Sequence, residues 1–418
     1  MSVLPALRNT QFRTWLIALF LTNVGAWMQR LTQEWYVLKL SGGSATMLGI
    51  VTGLQFLPAL LLGPVGGVIA DRYPRRRVML LAQVVVGASA AALGIGAMAG
   101  NHSLAPVYVL AVVTGIAGAV FQPAMQAYLV DLAGERGVTA TVGLTSGAFQ
   151  AGRLVGPGVA GVLIGTGSIG LAFLASAAAT VLPVVVAFRV GAVEQRPAGS
   201  SSTGWQMLVE GVRYSLGHRD IALALGIMVF VGTFAANVQM TNALMATTVF
   251  GVDAGRFGLL SSVLAIGAIV GAVLGGRRRI VSRRDVVCAA AAFCVLDMAS
   301  ALMPGYGWFV VAVAAVGVSQ LVFITASSSL QQVSAGPGMR GRVAALNLTL
   351  LTGTTPVGAP AIGWTAAQIG PRPALLVFGG LALLGTLGVG AVGVLRTGSP
   401  HGGDGVQHGG REVRAADQ

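Results

Sequence analysis

The chain has 418 residues, of which 55% are hydrophobic and only 9% charged, and it carries a net charge of +13. A soluble domain carries about 25% charged residues, so most of this chain must face lipid or other helices. Its 61 glycines do not oppose helices in that setting, because small residues let membrane helices approach closely.

In chain order, six apolar segments of crossing length fall near 14–38, 46–70, 78–99, 104–130, 140–165 and 169–190. Six more fall near 221–249, 257–276, 286–304, 307–330, 343–367 and 373–395. The first is long enough to stay in the bilayer as an anchor. The expected fold is all-α, a polytopic membrane protein of twelve helices in two six-helix halves, 1–190 and 221–396. Between the halves lies a polar loop, 191–220, in which Glu210, Arg213, Tyr214 and Leu216 suggest a short amphipathic helix on the membrane surface. The tail 397–418 has almost nothing to bury and is expected to be disordered.

The positive charge comes from 25 arginines and Lys39. With the N-terminus inside, 21 of these 26 fall in cytoplasmic segments, while Lys39, Arg256 and Arg372 fall outside and Arg30 and Arg153 lie within spans. That bias places both termini in the cytoplasm. The charge is therefore topological, and nucleic acid is not an expected partner. Cys288 and Cys294, six apart on one helix, point to different sides and read as buried small residues. His102, His218, His401 and His408 all lie outside the spans. With no HExxH, nucleophile elbow or phosphate-binding GKS/T loop, an enzyme, a bound metal or a cofactor is not expected.

The two halves look related. A shift of 202 residues superposes Gly115 on Gly317, Phe121 on Phe323, Gly156 on Gly358 and Gly161 on Gly363, with 10 identities over the 49 positions of 115–163. A chain this rich in Gly, Ala, Val and Leu gives roughly half that by chance, so the signal is suggestive.

Two stretches carry a resemblance. "GGVIADRYPRRRVML", residues 66–80, sets Gly67, Asp71, Arg72, Arg75 and Arg76 in a pattern that resembles the cytoplasmic loop signature of the major facilitator superfamily, with Pro74 where the family has glycine. The resemblance implies a cytoplasmic gate. In it Asp71 approaches the start of the eleventh helix and Arg75 pairs with Asp131 at the end of the fourth. The matching place in the second half keeps Gly275 and the arginines but has no aspartate. In the fifth span, Gly143, Gly152, Gly156, Pro157 and Gly161 resemble the antiporter signature of the same superfamily, with Ala160 replacing one of its last two glycines. Gly152 and Gly156 make a flat face for another helix, and Pro157 bends the span. Three further stretches, "VGAWMQRLTQEWYVLKLSG", "FQPAMQAYLVDLAGERG" and "MRGRVAALNLTLLTGTTPVGAPAIG", resemble the subgroup of enterobactin-type exporters and macrolide efflux proteins. The likeness spans residues 8–396. One departure is a fourth span without the arginine that many proton-driven members carry. Either Arg153 or Arg30 takes that role, or another ion drives coupling.

Arg153 has no purpose in ordinary small-residue packing. An arginine at mid-membrane costs about 2.5–3.5 kcal/mol on insertion scales, so it should face a cavity and meet an anionic group. Arg30 and Glu34, four apart, can touch; they read either as a mutually neutralised pair or as a coupling site. Glu34 is the expected proton carrier, with Asp297 as the reserve, although Asp297 also reads as a wet residue near the outer interface. Asn237 and Gln239 complete the polar groups of the pathway or serve as helix–helix glue. The resulting expectation is a secondary active transporter of the plasma membrane, a monomer in the lipid bilayer. It would export a small molecule such as a siderophore, antibiotic or drug in exchange for protons. Import or lipid flipping on the same fold is the alternative.

Overall fold

The computed structural model describes residues 10–189, 204–276, 281–336 and 338–395, so the expected tail 397–418 and the first part of the linker, 191–203, lie outside the described residues. The described residues are helical apart from short connections. The first helices are α1 (Thr10–Leu40), α2 (Ala45–Arg72), α3 (Arg75–Met98), α4 (Ala105–Gly165) and α5 (Ile169–Arg189). The amphipathic helix expected in the linker is present as α6 (Gly204–Gly217). After it come α7 (Arg219–Phe234), α8 (Val238–Leu244) with a π-helical turn over Met245–Val249, α9 (Ala254–Gly276) and α10 (Arg283–Ala301). The last are α11 (Tyr306–Ser334), α12 (Arg340–Gly353), α13 (Thr355–Ile369) and α14 (Pro371–Leu395). Among the described residues, seven helical stretches are long and apolar enough to cross a membrane.

The connections follow local chemistry. Gly42 and Gly43 turn α1 into α2 with φ of 63° and 87°, a region that glycine enters without strain. The Ser44 hydroxyl then caps α2 by accepting from the Met47 N–H at 3.4 Å. Tyr73, forced to be extended by the following Pro74, ends α2. Ser282 and Asp285 form a reciprocal capping box at the start of α10.

The chain departs from twelve separate segments in three places. The expected fourth and fifth spans are joined in one helical run, α4. That run is not a straight rod. Val107 accepts a hydrogen bond from Gln33 of α1, and a β-carbon on Gly156 would stand 2.8 Å from that of Trp27, also on α1. A straight helix would separate Val107 and Gly156 by about 74 Å at 1.5 Å per residue, whereas Trp27 and Gln33 are less than two turns apart. The chain therefore reverses between the two limbs of α4, and the limbs lie as neighbours. The seventh segment is interrupted after Phe234, where the Ala235 and Ala236 N–H groups both bond to the Val231 carbonyl at 2.8 Å. The eleventh is interrupted at Thr354, where Pro356 begins α13 without an N–H to donate. The two interruptions face each other: a β-carbon on Gly358 would strike the Thr233 carbonyl oxygen.

Glycine contacts set the packing. Gly115 in the first limb of α4 lies on the Gln55 carbonyl of α2, and Gly317 of α11 lies on the Leu264 carbonyl of α9. Gly156 lies on α1 as Gly358 lies on α7, and Gly161 meets α9 as Gly363 meets α2. Three residue pairs related by the 202-residue shift thus occupy matching contacts.

The early and late helices join at the Lys39 end. A β-carbon on Gly363 would stand 2.5 Å from the Ala45 carbonyl, and one on Gly161 would stand 2.9 Å from that of Ala254. The Ser262 hydroxyl donates to the Leu154 carbonyl at 2.9 Å, and the rings of Trp35 and Phe257 stack at 6.1 Å. Further along α2, Gly63 and Gly67 have open space where a side chain would be, although Leu60 still meets Gly353 of α12. At that arginine-rich end α6 is fastened to the late helices. Arg342 pairs with Glu210 at 2.7 Å, and the Gly336 N–H donates to the Tyr214 hydroxyl at 3.1 Å. Arg283 pairs with Asp220 close by. Cys294 is buried but Cys288 is exposed, so the expectation of two buried small residues holds for Cys294 alone, the six-residue spacing turning Cys288 to the outer face of α10.

Candidate functional site

Trp27, Arg30 and Glu34 lie at i, i+3 and i+7 on α1, which is one stripe of a helix. Packing then fixes what meets that stripe. On the returning limb of α4, Gly152 and Gly156 let the backbone settle on α1, so that Asn23, Val24 and Trp27 fill the space their side chains would take. Arg153, between those two glycines, is carried onto the stripe. Its guanidinium sits 5.4 Å from the Trp27 ring centre. The Arg30 guanidinium is 5.5 Å from the same ring and 4.7 Å from the ring of Phe56 on α2. Phe149 meets Trp27 edge-on at 5.9 Å. Each cation–ring contact contributes about 0.5–2 kcal/mol, more as water is excluded.

The acid of the group is Glu34. Its side chain is 3% exposed, against 25% for Arg30, and the two approach to 3.5 Å between Arg30 Nε and Glu34 Oε1. Neither that nitrogen nor either Glu34 oxygen makes a hydrogen bond, and all three are shut from solvent. A buried charge pair left this loose recovers little of its desolvation penalty. Two guanidinium ions and one carboxylate leave a net charge of +1. One turn from Arg30, the Gln55 side-chain amide of α2 donates to Gln33 Oε1 at 2.8 Å, which ties α1 to α2 at the same level.

The remaining sequence candidates are dispersed. Asp297 is buried on α10, not at a wet interface, and sits apart from the arginines because α10 packs on α7, α11 and α14. The apolar face that α10 shares with Phe293 and Cys294 draws it inward. Asn237 stands just before α8 without capping it, and its side-chain amide donates back to the Thr233 carbonyl at 3.1 Å; Gly358 packs on it, so its contacts are those of glue. Gln239 is half-buried beside it. At the arginine-rich end Arg75 is buried at the start of α3, Arg72 is exposed and Arg76 half-buried. Gly67 is on α2 with open space around it. The side chains of Asp71 and Asp131 and the surroundings of Gly143 lie outside what is described. Pro157 is buried, its carbonyl oxygen facing Gly258 of α9. A small apolar crevice opens between α1, α3, α4 and α5, lined by Trp15, Leu19, Met79 and Phe121 with Arg76 among them; no acid lines it, and the Trp27 group lies elsewhere.

Sequence reasoning missed Trp27, Phe56, Phe149, Gln33 and Gln55. The two glutamines were visible as amides inside apolar runs. The aromatic residues carry no such signal, since 15 Phe and 6 Trp are expected in any chain of this kind.

The Transmembrane secretion effector family model matches residues 1–399. The chain is similar to the enterobactin exporter EntS of Citrobacter koseri, at 26% identity over 339 residues, covering 79% of this chain and 80% of that protein. EntS of Shigella boydii serotype 18 is 25% identical over 330 residues, covering 77% and 78%. Among solved structures, the nucleoside transporter NupG superposes with a TM-score of 0.72 at 13% identity, covering 92% of this chain and 98% of that one. A bacterial homologue of the human lysosomal transporter Spinster, solved inward-facing and unoccupied, gives 0.68 at 15% identity, covering 93% and 95%. At such identities these structures speak for the fold alone. The family match, spanning every described helix, shows that the chain belongs to the Transmembrane secretion effector family, and is thus a multi-pass membrane transporter of the major facilitator superfamily rather than an enzyme.

Proposed function

We propose that the chain is a proton-coupled exporter of a small organic molecule, working by alternating access. Counting each limb of α4 once and joining α7 to α8 and α12 to α13 gives twelve crossings, grouped as six-helix halves over 1–190 and 221–396. The positive-inside bias puts the arginine-rich end, the linker 191–220, the tail 397–418 and both termini in the cytoplasm of a cell whose plasma membrane holds the protein as a monomer. The conformation is then closed outside and open inside, ready to load cargo from the cytoplasm. At the arginine-rich end, Asp71 and Arg75 are the groups that hold the start of α12 and Asp131 in the opposite conformation.

The observation that carries the reading is the buried Arg30–Glu34 pair beside Arg153, just inside the closed end. A membrane-buried carboxylate with no hydrogen bond is a group that can exchange a proton, and a buried arginine without an acid of its own is a group that can hold an anion. The enterobactin exporters among the relatives support outward transport, and a siderophore, antibiotic or drug fits the class. Asp297 stands as a second proton site.

Glu34→Gln tests the coupling in proteoliposomes carrying a set pH gradient. The variant mimics the protonated acid, so exchange of cargo across the membrane continues while uphill, pH-driven transport fails. Accumulation against the gradient at the wild-type level would remove Glu34 from the mechanism.

A further inference from the structure

We propose that Trp27 is the positioning residue of a two-arginine receptor that binds one carboxylate-type anion, bridging Arg30 and Arg153. This rests on the location of the cargo site given above and adds its ligand chemistry and the residue that sets its geometry.

Three observations lead there. Two like charges from different helices are held against a single indole, at 5.5 and 5.4 Å from its centre. Nothing in apolar packing would gather them, and their mutual repulsion opposes it. The charge on the group is +1, because Glu34 offsets one guanidinium, so one bound monoanion brings it to neutrality. The group is also short of hydrogen bonds: Arg30 Nε is shut from solvent and makes none, and guanidinium forks match planar carboxylates.

Trp27 is what makes the receptor possible. Its side chain leaves α1 at the place where Gly156 has no side chain, and a β-carbon there would stand 2.8 Å from that of Trp27. The flat face of the fifth-span signature thus seats the indole, and the indole sets how far apart the guanidinium groups stand. Phe149, edge-on at 5.9 Å and half-turned to solvent, keeps the ring from swinging. Trp27 acts through the arginines and need not touch the anion.

The test uses the full-length protein in detergent and two isosteric probes, benzoate and neutral benzamide, by titration calorimetry. The expected wild-type result is benzoate bound at least tenfold more tightly than benzamide. Arg30→Ala and Arg153→Ala each abolish that preference. Arg153→Lys, which keeps the charge but loses the planar fork, weakens it severalfold. Trp27→Leu lowers the benzoate-to-benzamide ratio about tenfold, and Trp27→Phe restores most of it, a pattern that mere loss of packing would not give. A wild-type ratio near one overturns the receptor. A wild-type ratio retained in Trp27→Leu overturns the role of Trp27; where that variant does not fold, Trp27→Met gives the same reading. Binding needs no transport. A protein that prefers benzoate but moves no cargo fails the transport reading alone, and one that exports cargo without the preference fails this inference alone.

Discussion

Gly258 sits where α9 crosses the returning limb of α4, at the closed end of the molecule. A β-carbon there would stand 2.6 Å from the Pro157 carbonyl oxygen and 2.9 Å from the α-carbon of Gly161, where ordinary contact begins near 3.4 Å. Both neighbours are backbone and cannot rotate away, so in Gly258→Ala the two helices must part by several tenths of an ångström. Overpacking of this kind costs about 1–3 kcal/mol. That strain belongs only to the conformation in which the contact exists. The equilibrium should therefore move away from the closed-outside state by roughly 5- to 150-fold. Spin labels at Gly63→Cys and Gly276→Cys, both at the arginine-rich end and both with open space around them, report the change in a chain with Cys288 and Cys294 replaced by alanine. Double electron–electron resonance should show the long-distance population of the parent shrinking in Gly258→Ala as the cytoplasmic end closes. Gly147→Ala is the control, since nothing lies within 4 Å of its new carbon; its effect of about 0.5–1 kcal/mol on helix propensity is the same in both states. An unchanged distance distribution in Gly258→Ala would refute the argument that this crossing is the outer gate.

Asp71→Asn should express as the wild type does and transport more slowly, through loss of the inner gate; wild-type turnover by the purified variant counts against it. Single cysteines at Ser200 and Asn101 test topology: on intact cells an impermeant maleimide should label Asn101→Cys and spare Ser200→Cys. Glu210→Ala should lower stability by less than about 1 kcal/mol in thermal unfolding, because the Glu210–Arg342 pair is half-exposed. Gly156→Ala should be worse by about 1–3 kcal/mol in the same assay, since its β-carbon meets the Val24 carbonyl at 2.7 Å.

The crossing segments were legible because a bilayer demands long apolar runs whatever packs beside them. The reversal inside α4 was legible as a gap, from its polar residues Asp131, Glu135 and Arg136, but not as continuous helical backbone. The break at Thr354 announces itself through Pro356. The break after Phe234 has only Ala235, Ala236 and Asn237, none a strong breaker, and goes with the approach of Gly358 from another helix. The site divides in the same way. Arg30, Glu34 and Arg153 stood out because charge is costly in lipid. Their convergence on Trp27 did not, because it depends on the register between α1 and the returning limb of α4. Asp297 was visible but misplaced: its position near a helix end suggested water, whereas the face it shares with Phe293 and Cys294 is buried.

The contacts that shut the Lys39 end are made by backbone and uncharged side chains: glycines on carbonyls, one serine hydroxyl and the Trp35–Phe257 stack. Such contacts are indifferent to dissolved salt. The proposed inner gate, by contrast, works through Asp71 and arginines at a wetted surface, where the Debye length shrinks from about 10 Å at 0.1 M to about 3 Å at 1 M ionic strength. The two gates therefore answer unequally to the medium. Raising salt on the arginine-rich side loosens the inner gate and leaves the outer one as it was, so ionic strength alone should tilt the resting population toward the inward-open form.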